Sequence, residues 1–223
     1  MTTTAGDAAS VLGAAYAGVT ELVTALDDHD LLLPSGCHGW SIADLVVHMT
    51  LDAQRALRTF ATPAAGPPDV DAVTYWRDYP GDSASSEPAV DHATWVRRAA
   101  AAYARPTGVV WLWSETAPAA ARAAATADPQ GHVATQGHVL TVADFVATLV
   151  TEAVIHHLDL TAALPEAAPP APPAVAMTLT TLEGLAGDAG LPAQWSEREK
   201  LLKATGRAPL TDSERAAGFP LLG

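Results

Sequence analysis

This sequence of 223 residues is poor in cysteine, poor in positive charge and without a long apolar run. Its single cysteine, Cys37, excludes a framework of internal disulfides. The 12 Lys and Arg residues against 25 Asp and Glu argue against a nucleic-acid partner, because phosphate binding relies on basic side chains. No stretch approaches the roughly 18 apolar residues of a membrane span, and the N-terminus does not resemble a signal peptide. We therefore expect a cytoplasmic protein that binds neither membrane nor nucleic acid.

What the sequence does have is apolar residues at helical spacing, enough for one sizeable core. Ser41 and Thr141 are each followed three residues later by Asp, a pattern typical of helix N-termini. Residues 129–140 suggest a short hairpin or extended loop. We predict an all-α protein with helices over residues 8–28, 41–62, 90–105, 115–127, 142–163 and 174–189, and two short helices after them.

The segment 63–88 has loop composition, with five prolines and several acidic residues. Its length is typical of a lid or an active-site rim rather than of a plain connection. Tyr75, Trp76 and Tyr79 give it an aromatic anchor, and Tyr75 and Trp76 are candidate substrate contacts. Cys37 lies in a Gly-rich turn with no second ligand nearby in sequence, so we interpret it as a turn residue rather than a catalytic thiol.

Two histidines in similar helical surroundings are the candidate metal ligands. His48 adjoins the apolar stripe of its helix, and His156 takes a core position in another, with Glu152 one turn earlier. Imidazole nitrogen and carboxylate oxygen suit borderline divalent cations, and a shell of three protein ligands leaves room for water or substrate. Spacing alone leaves a second interpretation open, in which Glu152 and His156 form a structural hydrogen-bonded pair.

Two motifs carry a resemblance to a known family. The segment PSGCHGWSIADLVVHM resembles the start of helix two in the mycothiol-dependent maleylpyruvate isomerase family, part of the DinB-like metalloprotein superfamily. GHVLTVADFVATLVTEAVIHHLDL is similar to its second signature, a Glu followed after four residues by His and after three more by Asp. The ending LLKATGRAPLTDSER resembles the tails of shorter members. The resemblance covers about residues 8–163 and the tail.

The resemblance implies a fold, a ligand set and a cosubstrate. The fold is a DinB-like four-helix bundle over residues 1–164, after which residues 165–223 form a Pro/Ala linker and a helical tail that docks on the bundle. The implied metal ligands are His48, Glu152 and His156. The metal is a divalent cation, with Zn²⁺ favoured and Ni, Fe, Mn or Co as alternatives. The implied cosubstrate is a mycothiol-like low-molecular-weight thiol, and we expect a monomer or homodimer.

The sequence departs from this family in two respects. Many members carry an Arg about one turn before the Glu, where this chain has Thr148 and Thr151, so a contact to an anionic substrate is missing. The family's isomerase also has a second α+β domain after the bundle, and the residues after 163 are too few and too helical to supply it. Maleylpyruvate is a dianion. We therefore do not expect isomerisation of maleylpyruvate by this chain.

Several polar residues have a structural and a functional interpretation. Asp52 and Asp159 each lie one turn from a candidate ligand and either support the metal site or are solvated acids. His138 and Arg207 are candidate substrate contacts, whereas His157 should point away from the site. Three functions remain open: a metal-dependent thiol transferase or isomerase, a non-catalytic binding module with a structural metal, and a metal-dependent hydrolase.

Overall fold

The computed structural model describes residues 5–77 and 87–222, which form an α-helical protein with one small hairpin. Helices α1, α2, α4 and α5 make a closed four-helix bundle in which α4 and α5 each contact both α1 and α2. Helix α3 packs on α2, and α6 packs on α5 and α1. The all-α prediction is confirmed. In chain order the elements are α1 (Ala5–Thr24), α2 (Ile42–Phe60), α3 (Glu87–Ala101), α4 (Thr107–Thr126), β1 (His132–Thr135), β2 (His138–Thr141), α5 (Val142–Leu160), α6 (Pro172–Ala186), α7 (Glu197–Ala204) and α8 (Asp212–Ala216).

The two predicted caps fix where the central helices begin. Ser41 accepts a hydrogen bond from the Asp44 backbone N–H, and the Asp44 carboxylate accepts one from the Ser41 backbone in return. At the start of α5, Thr141 accepts a hydrogen bond from the Asp144 backbone N–H in the same way. These caps satisfy backbone donors that have no partner within the helix. They also fix the register that carries the candidate ligands of α2 and α5 into the bundle.

Helix α4 begins earlier than the sequence analysis predicts. It starts at Thr107, directly after Pro106, rather than near residue 115, and it continues through Pro118. Proline just before the first helical turn is well tolerated, because its missing N–H has no helical partner there. Trp113 is completely buried, whereas Trp95 and Trp111 are 51% and 66% exposed. Of the three tryptophans, only Trp113 is a core residue.

The sequence analysis left a short hairpin and an extended loop as alternatives for residues 129–140, and the structure forms the hairpin. Strands β1 and β2 pair antiparallel, with His132 opposite Thr141 and Thr135 opposite His138. Gln136 and Gly137 form the turn with φ values of 48° and 87°. Successive positive φ values match the right-handed twist of a two-residue hairpin turn, a conformation that glycine adopts easily and glutamine rarely. The turn carries the Gln136 side chain toward α2.

Besides the contact of Arg207 with Asp159 in α5, the C-terminal part of the chain packs on the bundle through α6. This helix begins at Pro172, two residues before the predicted start at 174, because proline is favoured at the first helical position. Helix α7 packs on α6, and Trp195 and Leu201 are buried. Val73, in the segment before α3, packs closely on Gly184 of α6. A Cβ added at Gly184 would lie only 2.8 Å from Val73 Cγ2.

Two further expectations concern the described chain. Among its helices, none has the length and apolar character needed to cross a membrane. Tyr75 and Trp76 are buried, as expected of an aromatic anchor for the loop, and they lie in a short 3₁₀ turn. Tyr79 and the rest of that loop up to residue 86 lie outside the described residues.

Candidate metal centre

The three predicted metal ligands converge where α2 and α5 face each other. His48 comes from α2, and Glu152 and His156 come from successive turns of α5. His156 Nε2 lies 3.2 Å from His48 Nε2 and 3.1 Å from Glu152 Oε2. In a tetrahedral zinc shell with bonds of about 2.0 to 2.1 Å, neighbouring ligand atoms lie about 3.3 Å apart. The separations in this ligand cluster (His48, Glu152 and His156) therefore fit a shared cation.

Asp159 fixes the orientation of the His156 ring. Its Oδ2 accepts a hydrogen bond from His156 Nδ1 over 3.0 Å, and the side chain is only 2% exposed. Because an ionised carboxylate only accepts hydrogen bonds, Nδ1 must carry the hydrogen. His156 Nε2 then points at His48 and Glu152. Metal-binding histidines commonly use their second nitrogen in this way. The arrangement therefore favours the interpretation of Asp159 as a residue that supports the metal site over its interpretation as a solvated acid.

The charges of the cluster suit a cation at Nε2. Burial opposes the charge on His156, but hydrogen bonds to Asp159, Cys37 and Glu152 raise its pKa well above the ordinary value. Burial likewise opposes ionisation of Glu152, yet the hydrogen bond and charge of His156 lower the pKa of Glu152 well below its usual range. In the absence of a cation, a proton on His156 Nε2 lies between this nitrogen and the Glu152 carboxylate. A divalent cation can replace that proton, since it binds the deprotonated ligands.

Burial favours the neutral form of His48, which is the form that a metal ligand needs. Burial lowers its pKa, which outweighs the attraction of Asp52 and Glu152 for the charged form. On its other side, His48 Nδ1 lies 3.1 Å from His92 Nε2 in α3, and Trp40 packs against both rings. The sequence analysis missed His92, because it lies in no motif and only the packing of α3 on α2 brings it near. His92 holds the His48 ring so that Nε2 faces the cluster.

We expect His92→Ala to weaken metal binding by about tenfold while leaving the stoichiometry unchanged, since the ligands remain but His48 is less constrained. Competition titration with a chromogenic zinc chelator measures this affinity. His132→Ala is the matched control, because His132 lies in the hairpin with its Nδ1 2.7 Å from the Gly66 carbonyl oxygen, and it belongs to none of the candidate metal clusters of the described residues. Equal affinity of the His92 variant and the control would show that His92 does not orient His48.

Asp52 brings a second carboxylate to the edge of the cluster. Its Oδ2 is buried, lies 3.5 Å from His48 Nε2 and has no hydrogen-bond partner within residues 5–77 and 87–222. Its Oδ1 lies 3.1 Å from Arg55 Nη2. Burial opposes the positive charge of Arg55, but the Asp52 carboxylate raises the pKa of Arg55. A buried carboxylate oxygen without a partner calls for an explanation, and a cation beside His48 provides one.

A chain of polar contacts connects this edge to the predicted rim. Arg55 Nη1 donates to Thr135 Oγ1 and Gln136 Oε1, over 3.1 and 3.3 Å. Gln136 Oε1 also accepts a hydrogen bond from the Tyr75 hydroxyl. Of the candidate substrate contacts, Tyr75 is thus linked to the cluster through Gln136, Arg55 and Asp52. The other aromatic candidate, Trp76, packs edge-on against Tyr75.

His138 lies at the hairpin and is not brought to the ligand cluster by any contact of the described residues. Its Nδ1 lies 3.5 Å from Asp69 Oδ2, and its ring packs 6.2 Å from that of Tyr75. His157 is buried, and its Nε2 lies 2.9 Å from the Ala168 carbonyl oxygen. The prediction that His157 points away from the ligands agrees with this contact, but the residue lies under the chain after α5 rather than at the surface.

Cys37 lies beside the cluster, contrary to its interpretation as a turn residue without a neighbouring ligand. Its Sγ is 3.4 Å from Asp159 Oδ2 and 4.0 Å from His156 Nδ1. Gly36 makes this approach possible, because its N–H donates to the Asp159 carbonyl oxygen over 2.8 Å and it has no side chain to collide with α5. The contact joins residues 122 apart in sequence, so spacing within either motif carries no sign of it.

We expect Gly36→Ala to lower the free energy of unfolding by about 1 to 3 kcal/mol through overpacking. A Cβ at residue 36 would lie 2.5 Å from Asp159 Oδ1 and 2.9 Å from Asp159 Cα, so the loop or α5 must shift. Urea unfolding measures the change. Gly13→Ala is the control: its Cβ would meet nothing within 4 Å, and alanine should stabilise α1. A Gly36 variant as stable as wild type would refute the close approach.

Arg207, a candidate substrate contact, is engaged by Asp159. Arg207 Nε lies 2.9 Å from Asp159 Oδ1 and Nη2 lies 2.9 Å from Oδ2, a bidentate pair. Burial opposes ionisation of Asp159, but His156 and Arg207 lower its pKa to about 2. Thr148 and Thr151 are buried, and Thr148 Oγ1 donates to the Phe145 carbonyl oxygen. Among the described residues, the arginines near the cluster, Arg55 and Arg207, therefore come from outside α5.

A separate cavity of about 360 Å³ lies between α2, α3 and α4. Its lining is mainly apolar and includes Leu51, Trp95, Tyr103 and Leu112, with Gln54 as a polar group. None of the three residues of the ligand cluster is among its lining residues. The cavity therefore does not mark the position of a molecule bound at the cluster.

The comparison with protein families agrees with this site. The profile described as the mycothiol maleylpyruvate isomerase N-terminal domain matches residues 12–161. The match takes in α2 and α5 and all three residues of the ligand cluster. No curated protein and no solved structure matches the chain. Because the profile covers well over half of the 223 residues, the chain belongs to the mycothiol maleylpyruvate isomerase family.

Proposed function

We propose that this protein is a metal-dependent enzyme that activates a mycothiol-like low-molecular-weight thiol for S-transfer to, or thiol-assisted isomerisation of, a small electrophile. The observation that carries the proposal is the approach of His48 Nε2, His156 Nε2 and Glu152 Oε2 to within 4.8 Å of one another. Family membership supports the thiol, since mycothiol is part of the family's description.

The residues that would hold the cation are His48, Glu152 and His156, with the Asp52 carboxylate beside His48. Two imidazoles and a carboxylate suit Zn²⁺ and are also compatible with Ni, Fe, Mn or Co. When bound, such a cation would lower the pKa of a thiol so that a nucleophile exists at neutral pH without a dedicated protein base. Asp159 would keep the His156 ring in place, and Glu152 would offset part of the cation's charge.

The ligand count favours an enzyme over a binding module with a structural metal. Structural zinc sites are normally closed by four protein ligands, whereas catalytic sites keep one position open. Asp52 Oδ2 lies 3.5 Å from His48 Nε2 but is not part of the group whose ligand atoms all lie within 4.8 Å of one another. Three close protein ligands leave a position for a thiol, or for water in the hydrolase alternative.

The charges around the cluster favour an uncharged electrophile. The two cations beside it are each paired with a carboxylate of the protein, Arg55 with Asp52 and Arg207 with Asp159. An anionic substrate that bound through either arginine would have to displace its carboxylate partner, which costs several kcal/mol for a buried pair. This agrees with the expectation that the dianion maleylpyruvate is not the substrate.

The experiment is turnover of the zinc-loaded protein with mycothiol and an uncharged chloroarene, 1-chloro-2,4-dinitrobenzene. In the expected reaction a C–S bond forms, the C–Cl bond breaks, chloride leaves and the thiol proton passes to solvent. The thioether product is followed by its absorbance, and Glu152→Gln should reduce the rate to the uncatalysed level. Loss of chloride with phenol formation and no thiol requirement would indicate a hydrolase instead. No turnover with or without the thiol would favour the remaining interpretation, a non-catalytic binding module with a structural metal.

A further inference from the structure

Asp159, the residue that orients His156, has its counter-charge in the C-terminal part of the chain. Both of its carboxylate oxygens are taken by the Arg207 guanidinium, each over 2.9 Å. Asp159 is 2% exposed, and a buried carboxylate left without its partner is strongly destabilising. Planar bidentate pairing also fixes the rotation of the carboxylate, and with it the direction of the bond that Oδ2 accepts from His156 Nδ1.

The C-terminal segment (residues 191–222) holds the guanidinium in this position. Arg207 Nη1 donates to the Thr205 carbonyl oxygen over 2.5 Å, and the Arg207 and Ala208 N–H groups both donate to the Leu202 carbonyl oxygen. Gly206 makes the turn out of α7 with a φ of 71°, a left-handed conformation that favours glycine.

The end of the chain closes over this turn. The Leu221 and Leu222 N–H groups donate to the Ala204 carbonyl oxygen, over 2.8 and 3.0 Å. Glu214 in α8 accepts hydrogen bonds from Trp195 Nε1 and Lys203 Nζ, over 2.9 and 2.6 Å. The position of the Arg207 guanidinium therefore depends on the fold of the whole segment and not on Arg207 alone.

We propose that the C-terminal segment is a working part of the metal centre, and that Arg207 is a positioning residue acting on His156 through Asp159. The inference rests on the proposed metal function. Docking of the segment holds Asp159, which holds the His156 ring with Nε2 toward His48 and Glu152. Coupling between two binding events is reciprocal. Metal at the cluster therefore tightens the docked segment, and the docked segment tightens metal binding.

The first test is the zinc affinity of Arg207→Gln, measured by competition with a chromogenic chelator. Changes in the groups behind a metal ligand typically weaken binding by about 10- to 100-fold, and we expect that range here at unchanged stoichiometry. Arg215→Gln is the matched control in the same segment, because Arg215 pairs with a fully exposed Asp212. Circular dichroism verifies that each variant is folded. Equal affinities of the Arg207 and Arg215 variants would overturn the proposal.

Two further measurements separate positioning from a general loss of structure. Guanidinium ion at millimolar concentration should partly restore the zinc affinity of Arg207→Ala, whereas a merely structural defect would not respond. Asp159→Asn should weaken zinc binding to a similar extent, and the double variant Asp159→Asn/Arg207→Gln should be no weaker than either alone, since both act on one path. Additive losses of zinc affinity in the double variant, or no response of Arg207→Ala to guanidinium, would contradict the action of Arg207 on His156 through Asp159.

The reciprocal effect is measured by limited trypsin digestion, since Lys200, Lys203 and Arg215 lie in the C-terminal segment. Zinc should slow cleavage there in the wild type but not in Asp159→Asn. Zinc binding by the wild type without protection of the segment would refute the coupling and leave the proposed function intact. Failure of the wild type to bind zinc would overturn both, so the two failures are distinguishable.

Discussion

Replacing His156 by alanine is expected to abolish metal binding and to lower the free energy of unfolding of the metal-free protein by about 3 to 5 kcal/mol. His156 lies 3.1 Å from Glu152 Oε2 and 3.0 Å from Asp159 Oδ2, and it is the counter-charge of Glu152, whereas Asp159 also pairs with Arg207. Removing one partner of a buried ion pair leaves uncompensated charge in a poorly solvated site. Urea unfolding in the presence of a chelator measures the loss, and elemental analysis measures the metal.

His48→Ala is the matched variant, because it removes a ligand without removing a charge. Burial keeps the pKa of His48 low, so its loss leaves no unpaired carboxylate apart from the weaker contact to Asp52. We expect it to lose metal binding as well, but to lower the metal-free free energy of unfolding by only about 1 kcal/mol, the scale of one hydrogen bond. Equal losses of stability in the two variants would contradict the proposed charge distribution of the cluster.

The second large effect is expected from the core, where Phe145→Ala should lower the free energy of unfolding by about 3 to 5 kcal/mol without altering metal stoichiometry. Phe145 is completely buried in α5, and its ring packs edge-on against Phe60 at 5.3 Å between centroids. Truncation removes the aromatic contacts and leaves a cavity that the surrounding helices fill only in part. Urea unfolding gives the size of the loss.

Phe145 also tests whether the site is separable from the general stability of the bundle. It lies seven residues before Glu152, about 10 Å along the same helix. Below the unfolding transition the variant should therefore bind one equivalent of zinc with wild-type affinity. A large drop in affinity would mean that the ligand cluster depends on packing throughout α5, and not on the contacts around His156.

Local sequence patterns were sufficient to predict the parts of the site that depend on one helix. Glu152 and His156 are four residues apart, which places them on one face, and Asp159 follows one turn later. The Ser41 and Thr141 caps fixed the starts of α2 and α5 to within a residue. His48 was assigned from its position beside an apolar stripe and from the family motif, and the structure places its Nε2 3.2 Å from that of His156.

Contacts between elements far apart in sequence could not be predicted in this way. Arg207 reaches Asp159 across 48 residues, and His92 reaches His48 across 44, in each case through packing that no local pattern encodes. Cys37 was misjudged for the same reason, because the close approach of Gly36 to α5 is a tertiary contact. The sequence made Arg207 a candidate substrate contact, whereas in the structure its Nε and Nη2 pair with Asp159 and its Nη1 donates to the Thr205 carbonyl oxygen.

The early start of α4 has a local cause that the sequence analysis weighed too little. The predicted helices 90–105 and 115–127 left Pro106 and Gly108 in a gap between them, although proline before the first turn is compatible with a helix. Val109, Val110, Trp113, Ala117 and Ala120 are all buried and follow helical spacing. In this segment the apolar period was the better guide to structure than the two residues that usually break helices.

The measurement that tests the central claim most directly is elemental analysis of the purified, untagged protein beside its His48→Ala and Glu152→Ala variants. The account predicts about one equivalent of a divalent transition metal in the wild type, and a loss of that metal in both variants while circular dichroism shows them to be folded. No metal in the wild type after exposure to zinc, or undiminished metal in either variant, would contradict the assignment of this cluster as the metal centre.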